Sequence, residues 1–287
     1  MTRRRAGWRA GRPSRSRPSS RHAVTTLAAD GPLVRATVTA CGLLALWQVL
    51  VLATGAPPYI LPAPLEVLTT FADRGRLIAG HAWVTAIEIV LGFAFGALLG
   101  AASGIVLASF AGARRWLQPL LVVSQALPVF ALAPILVLWL GYGMASKIAM
   151  AVLIIYFPVT AAFYDGLRRT DSEVLDVVRL MGASRLELLR LVRIPSALPA
   201  LGSGLRVAAA VAPIGAVVGE WVGSSAGLGY LMLHANARMQ IDLMFASLLT
   251  LAAMALVLFW AVDRLARRMV PWQSETYDFA RPAAARN

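Results

Sequence analysis

Six apolar runs, each near the length that crosses a lipid bilayer, constrain this chain more than any other feature; they cover residues 36–54, 83–109, 118–140, 147–164, 201–221 and 243–262. A spanning helix needs about 20 predominantly apolar residues. Inside lipid the backbone must satisfy its own hydrogen bonds, which a helix does within one segment. The sequence therefore predicts an all-α, polytopic membrane protein with six transmembrane helices. Composition agrees, since only 14% of the residues are charged, against about 25% in a soluble domain.

The distribution of positive charge orients these spans. If the N-terminus is cytoplasmic, 23 basic residues fall inside and only Arg74, Arg76, Lys147 and Arg238 fall outside. Cytoplasmic loops carry the excess of Lys and Arg, so both termini are expected in the cytoplasm. Residues 1–35 form a basic tail, arginine-rich with Gly, Pro and Ser over 1–22, a composition that cannot offset its ordering entropy. Attraction to anionic lipid or nucleic acid is one reading of this tail; a topogenic segment, or a start codon placed too early, is the other. Residues 36–264 are the expected six-helix domain and 265–287 a C-terminal cytoplasmic tail.

Several functions are excluded. Lys147 is the single lysine and Ser146 precedes it, where a Walker A loop needs glycine, so ATP and Mg are not expected on this chain. Cys41 is the only cysteine, and His22, His81 and His234 lie far apart, which leaves no local pattern for a disulfide or metal framework. No cofactor is expected, and nothing suggests an enzyme.

Within the spans, Gly92, Gly96, Gly100 and Gly104 fall on one helical face and mark a seam where another helix approaches closely. Pro128, Pro134, Pro158 and Pro213 each free a backbone carbonyl that neighbours or cavity water must satisfy. Glu88 and Glu220 are carboxylates inside apparent spans, and such groups are functional candidates because burying them in hydrocarbon is costly. Glu220 could equally be an interfacial group paired with Arg238. Ser124, Gln125, Pro128, Tyr156, Thr160 and Glu220 are the candidates to line a solute path, and Arg206 is the one basic residue read within a span.

Between the fourth and fifth spans runs a polar interruption, residues 165–200. Thr170 with Glu173, and Ser184 with Glu187, each match a capping box; Gly182 stands where a left-handed residue ends a helix, and Pro195 with Pro199 is expected to stop the second one. In the first helix Val174, Val177, Val178 and Met181 share a face. In the second, Leu188, Leu191 and Val192 do, with Arg185, Arg190 and Arg193 turned outward. A DNA-reading helix-turn-helix is the competing interpretation, but a segment tethered between two spans lacks the independent core that module needs, so no nucleic-acid partner is expected.

This loop resembles the signature of binding-protein-dependent ABC importer permeases: Glu-Ala-Ala, three residues, Gly, nine residues, Ile, any residue, Leu-Pro. Here it runs Asp176-Val177-Val178, Gly182, then Val192-Arg193-Ile194-Pro195, with Asp in place of Glu and two valines in place of the alanines. Ala183 and Ser184 complete the turn. The resemblance implies a type I importer permease whose loop docks on a separate cytoplasmic ATPase that holds ATP and Mg. It also implies a second copy of the chain and a periplasmic or lipid-anchored solute-binding protein. It extends from about Leu43 to Trp272, and Ala56–Pro64, Pro195–Pro199 and Gly227–Leu231 are similar to the nitrate, sulfonate and taurine permease group. Leu138–Gly143, Tyr156–Thr160, Phe163–Arg168 and Val218–Val222 are most similar to the branch for hydroxymethylpyrimidine, a thiamine precursor. Sulfonate, taurine or nitrate is the alternative cargo, and a secondary transporter a more distant one, for which an internal repeat would be expected.

Overall fold

In the computed structural model residues 32–272 are described, and every regular element among them is helical. The chain divides into two units, residues 1–46 and 47–287. The described part of the first belongs to α1 (Pro32–Thr54), an apolar helix long enough to span. Helix α1 starts inside the segment read as a tail, and the expected boundary at residue 264 falls inside the last helix. Most of both tails lies outside the described residues.

Helix α2 (Pro64–Ser109) is the first helix that lies wholly in the second unit. Pro64 fixes φ at the first helical position, where a missing N–H costs nothing, and the Ala63 N–H donates to Glu66 Oε2 at 3.0 Å. Its 46 residues would extend ~69 Å at about 1.5 Å per residue, more than twice a hydrocarbon core of about 30 Å. The run at 83–109 is thus only its membrane part. Arg74, with non-helical φ −120° and ψ 16°, marks a kink in the remainder, whose charges interrupt the apolar run without ending the helix.

The third expected span is broken. Helix α3 (Ala111–Ala126) and α4 (Val129–Leu140) meet at 104°. Pro128 causes the break: a residue before proline is driven out of the helical region, and Leu127 is extended at ψ 125°. Pro134 in α4, Pro158 in α5 (Met144–Arg168) and Pro213 in α8 (Ile194–Gly223) stay within continuous helices. Among the described residues five helices are long and apolar enough to cross singly, with the bent pair as a sixth candidate.

Packing shows what that pair does. The four-glycine seam of α2 lies against α5: a Cβ at Gly96, Gly100 or Gly104 would press on Ile155, Val159 or Phe163, and Gly92 abuts Ala151. Each glycine sits 59 residues before its partner, so α2 and α5 run parallel. Parallel neighbours require the chain to return between them, and α3–α4 is that return crossing. Against the other side of α5, Gly204 meets Ala162, Gly215 meets Ala151 and Gly219 meets Lys147, so α8 is antiparallel. The core accordingly centres on α5, with Ala151, Ile155, Val159, Phe163, Ala208 and Ala212 among its buried residues. Helix α9 (Leu228–Ala237) and the antiparallel α10 (Ile241–Met269) complete the unit.

Candidate functional site

The loop after α5 forms α6 (Ser172–Leu180) and a short α7 (Arg185–Glu187). Ser184 caps α7 reciprocally: its hydroxyl accepts from the Glu187 N–H, and its own N–H donates to Glu187 Oε2. The first capping box does not form. Asp171, one residue later, accepts from the Glu173 N–H, while the Thr170 hydroxyl donates back to Leu167 O. Gly182 has φ +87°, the left-handed conformation that glycine adopts without strain.

Pro195 and Pro199 do not stop the second helix. Residues Leu188–Arg193 wind as a π-helix that runs directly into α8; the Ile194 N–H reaches back five residues to Leu189 O. The wider turn seats Pro195 at the start of α8 and shifts the residues after it around the axis. Within this turn Leu188 is buried but Leu191 is 73% exposed, and the two do not share a covered face. Val192, Arg193, Ile194 and Pro195 are half-buried where the loop joins the bundle.

Leu175 is the side chain of α6 that is buried, whereas Val174, Val177, Leu180, Met181 and Leu186 are exposed. Val178 and Ala183 are half-buried. Asp176 faces solvent and pairs with Arg179 at 2.8 Å. An anchored helical hairpin thus presents an apolar surface at its tip, fringed by charge. Leu180 is 88% exposed and is the most prominent member; the sequence reading passed over it because it lies off the valine face.

Inside the bundle the expected path residues separate into two places. Ser124 and Tyr156 line one cavity of about 260 Å³ between α3, α4 and α5, together with Leu117, Leu121, Leu132 and Leu153. The Tyr156 hydroxyl donates to Ser103 Oγ at 2.9 Å, and the Ser124 hydroxyl donates to Leu121 O. Thr160 is fully buried, donating to Tyr156 O at 2.7 Å, where it supports the turn around Pro158. Pro128 forms the exposed break above the cavity. Gln125 belongs to the last turn of α3, but its side chain lies outside the described residues.

Glu220 is elsewhere. It is 1% exposed, accepts from the Thr85 hydroxyl and from the Gly229 N–H, and is not paired with Arg238. The Leu228 N–H donates to Thr85 Oγ1 at 2.7 Å and the Gly227 N–H to His81 Nδ1 at 3.0 Å. Side chains from α2 and α8 therefore satisfy the orphan amides that open α9, at the positive end of its dipole. Gly227 has φ +111°, and a Cβ on Gly227 or Gly229 would collide with the Glu220 carboxylate, which explains the Gly-Leu-Gly spacing.

Beside this cap, Lys147 pairs with Glu88 at 2.8 Å. Lys147 is not an exposed loop charge: it is 6% exposed, and Glu88 is fully buried. His81, Thr85 and Glu88 continue the glycine face of α2 at helical spacing, a signal that the sequence held. Arg206 pairs with Asp263 of α10 at 2.6 Å, away from the Ser124–Tyr156 cavity. That cavity has no charged residue among those lining it.

With this geometry in place, residues 92–271 match the family of binding-protein-dependent transport system inner membrane components. The chain belongs to that family. Among its relatives, a probable ABC transporter permease protein of Haemophilus influenzae is 55% identical over 79% of this chain and 93% of its own. The riboflavin transport system permease protein RibX of Chloroflexus aurantiacus is 36% identical, covering 85% and 92%. The formylaminopyrimidine transport permease protein ThiX of Halalkalibacterium halodurans is 35% identical, covering 81% and 93%. In fold, the chain is similar to one from the inward-facing MetNI methionine ABC transporter, with TM-score 0.60 and 19% identity over 69% of this chain and 98% of that one. The protein is thus the multi-pass inner-membrane permease of an ABC importer for a small solute, and not itself the ATPase.

Proposed function

We propose that this permease imports hydroxymethylpyrimidine or a related thiamine precursor. The observation that carries the reading is the Ser124–Tyr156 cavity: it offers hydroxyls and one aromatic face amid leucines, with no cation. A neutral aromatic solute suits such a lining, whereas a sulfonate, taurine or nitrate calls for guanidinium groups or helix N-termini. The basic side chains placed within the spans are compensated, Lys147 by Glu88 and Arg206 by Asp263. The formylaminopyrimidine permease among the relatives supports the same class.

In this reading the exposed tip of α6 and α7 docks on a separate cytoplasmic ATPase, which binds ATP and Mg, and a solute-binding protein delivers cargo from the periplasm. A second copy of the chain completes the path. Helix α8 is the most enclosed span, 61% buried against 44% or less for the others. Its exposed positions Ser203, Val207, Ala210, Ile214 and Trp221 nevertheless form one stripe, suited to face that copy. Both termini and the loop lie in the cytoplasm, on the strength of the arginine distribution.

Growth of a thiamine-synthesis mutant on low hydroxymethylpyrimidine, with and without this gene, tests the cargo beside riboflavin uptake and growth on taurine or alkanesulfonate as sulfur source. Rescue by the pyrimidine is expected; uptake of riboflavin or sulfonate alone would refute it. Alkaline phosphatase fused after Ser224 should be active and after Ala183 inactive, and the reverse would invert the orientation.

A further inference from the structure

Where α2, α5 and α8 meet away from the loop, three ionisable side chains share one enclosed space. Glu88, Lys147 and Glu220 are all buried. Lys147 Nζ donates to Glu88 Oε1 at 2.8 Å, and the carboxyl groups of Glu88 and Glu220 lie within hydrogen-bond reach of each other. Both Glu220 oxygens have donors, Oε1 from the Thr85 hydroxyl and Oε2 from the Gly229 N–H. Glu88 Oε2 differs: it is buried and has no donor among the described residues.

Charge and protons do not balance in this cluster as ordinary carboxylates and an ammonium. Two carboxylates against one ammonium leave a net negative charge, which is costly to bury away from water. The amide end of α9 carries about half a positive charge. It serves Glu220, so it offsets part of the excess and leaves Glu88 Oε2 as it was. His81 does not supply the remainder, because its Nδ1 accepts the Gly227 N–H and a second ring proton there would break that bond. Helix α4 has no charged residue, Asp242 at the start of α10 accepts from Thr70, and His234 of α9 is exposed beside Tyr230 O. Two carboxylates in contact repel, whereas one proton between them makes a charge-assisted hydrogen bond and gives Glu88 Oε2 its partner.

We propose that Glu88 and Glu220 hold one proton between them, which makes Lys147, Glu88 and Glu220 a neutral cluster and bonds α2 directly to α8. The proton is a structural ligand of the bundle. On one side of it Glu88 receives Lys147 of α5, and on the other Glu220 accepts from the amide that opens α9. The site is independent of the transported solute and of which end of the bundle faces outward.

The test is infrared spectroscopy of the full chain in lipid nanodiscs at neutral pH, where the C=O stretch of a protonated carboxyl lies apart from the carboxylate bands. The parent should show one neutral carboxyl per chain, slow to shift in heavy water because the cluster is buried. Isotopic labelling of the glutamate carboxyl carbons should move this band, an assignment that needs no variant. Glu88→Gln and Glu220→Gln should each abolish it, since either amide leaves a single carboxylate opposite Lys147. Lys147→Met removes the cation and should raise the count to two. A parent without a neutral carboxyl, or with one that glutamate labelling does not move, would overturn the site. Survival of the band in a folded Glu88→Gln or Glu220→Gln chain, or an unchanged count in folded Lys147→Met, would do the same.

Discussion

Leu180→Gln isolates the proposed docking surface from the rest of the fold. Leu180 closes α6 with 88% of its surface in solvent, so the chain gains almost nothing from it until a partner covers it. Fully burying a leucine contributes about 1.5–3 kcal/mol. Loss of ~2 kcal/mol should therefore weaken ATPase association roughly 30-fold, since about 1.4 kcal/mol is tenfold. Glutamine serves better than aspartate, because a carboxylate at the last residue of a helix opposes the macrodipole and would perturb α6 itself. The measurement is a titration of the partner ATPase onto nanodisc-embedded permease, with thermal unfolding as the control. Unfolding should be unchanged and uptake reduced in proportion to occupancy. An affinity within about threefold of the parent, with a folded variant, would refute docking through this tip.

Gly182→Val meets open space but must hold φ +87°, a strain of about 1–3 kcal/mol; membrane insertion should be normal while solute uptake falls. Gly100→Ala would place a methyl 2.9 Å from Val159 Cβ and 3.0 Å from Tyr156 O and should cost about 1–3 kcal/mol. On the same helix Gly80→Ala meets nothing within 4 Å and should gain up to about 1 kcal/mol, so equal thermal shifts for the two would dissolve the seam. Lys147→Met leaves Glu88 buried without its partner, a loss of about 3–5 kcal/mol that Glu88→Gln in the same chain should largely restore; failure of rescue in a denaturation series would mean that Lys147 acts other than through Glu88.

What the sequence disclosed follows from which forces are local. Spans, the glycine seam, the Ser184 cap and the turn at Gly182 depend on periodicity and on one residue's backbone freedom, and each was legible. The 104° break at Pro128 was not, because Pro134, Pro158 and Pro213 look alike in sequence and yet sit in continuous helices. Pro195 misled for a related reason: whether a proline ends a helix depends on the winding before it, and a π-turn here admits the ring without a stop. The partners of Glu220 and Lys147 were hidden by distance along the chain. Thr85 lies 135 residues from Glu220, and Glu88 lies 59 from Lys147. Only the continuation of the α2 glycine face through Glu88, Thr85 and His81 hinted that these polar groups point toward other helices.

The arrangement of the seam bears on how a push at the proposed docking loop would reach the far end of the bundle. The loop is continuous with α5 on one side and α8 on the other, and the two pack at glycine-to-backbone approaches, such as Gly215, where a Cβ would fall 2.7 Å from Ala151 Cα. Close-packed interfaces of this kind do not deform continuously, so α2, α5 and α8 must shift together or not at all. Their ends away from the loop carry the Lys147–Glu88 pair and the cap that Glu220 and Thr85 place on α9. If the loop docks as proposed, its displacement would thereby reach α9 as a rigid-body movement. The break at Leu127 and Pro128 is the point where the return crossing can yield, and it adjoins the cavity that Ser124 and Tyr156 share.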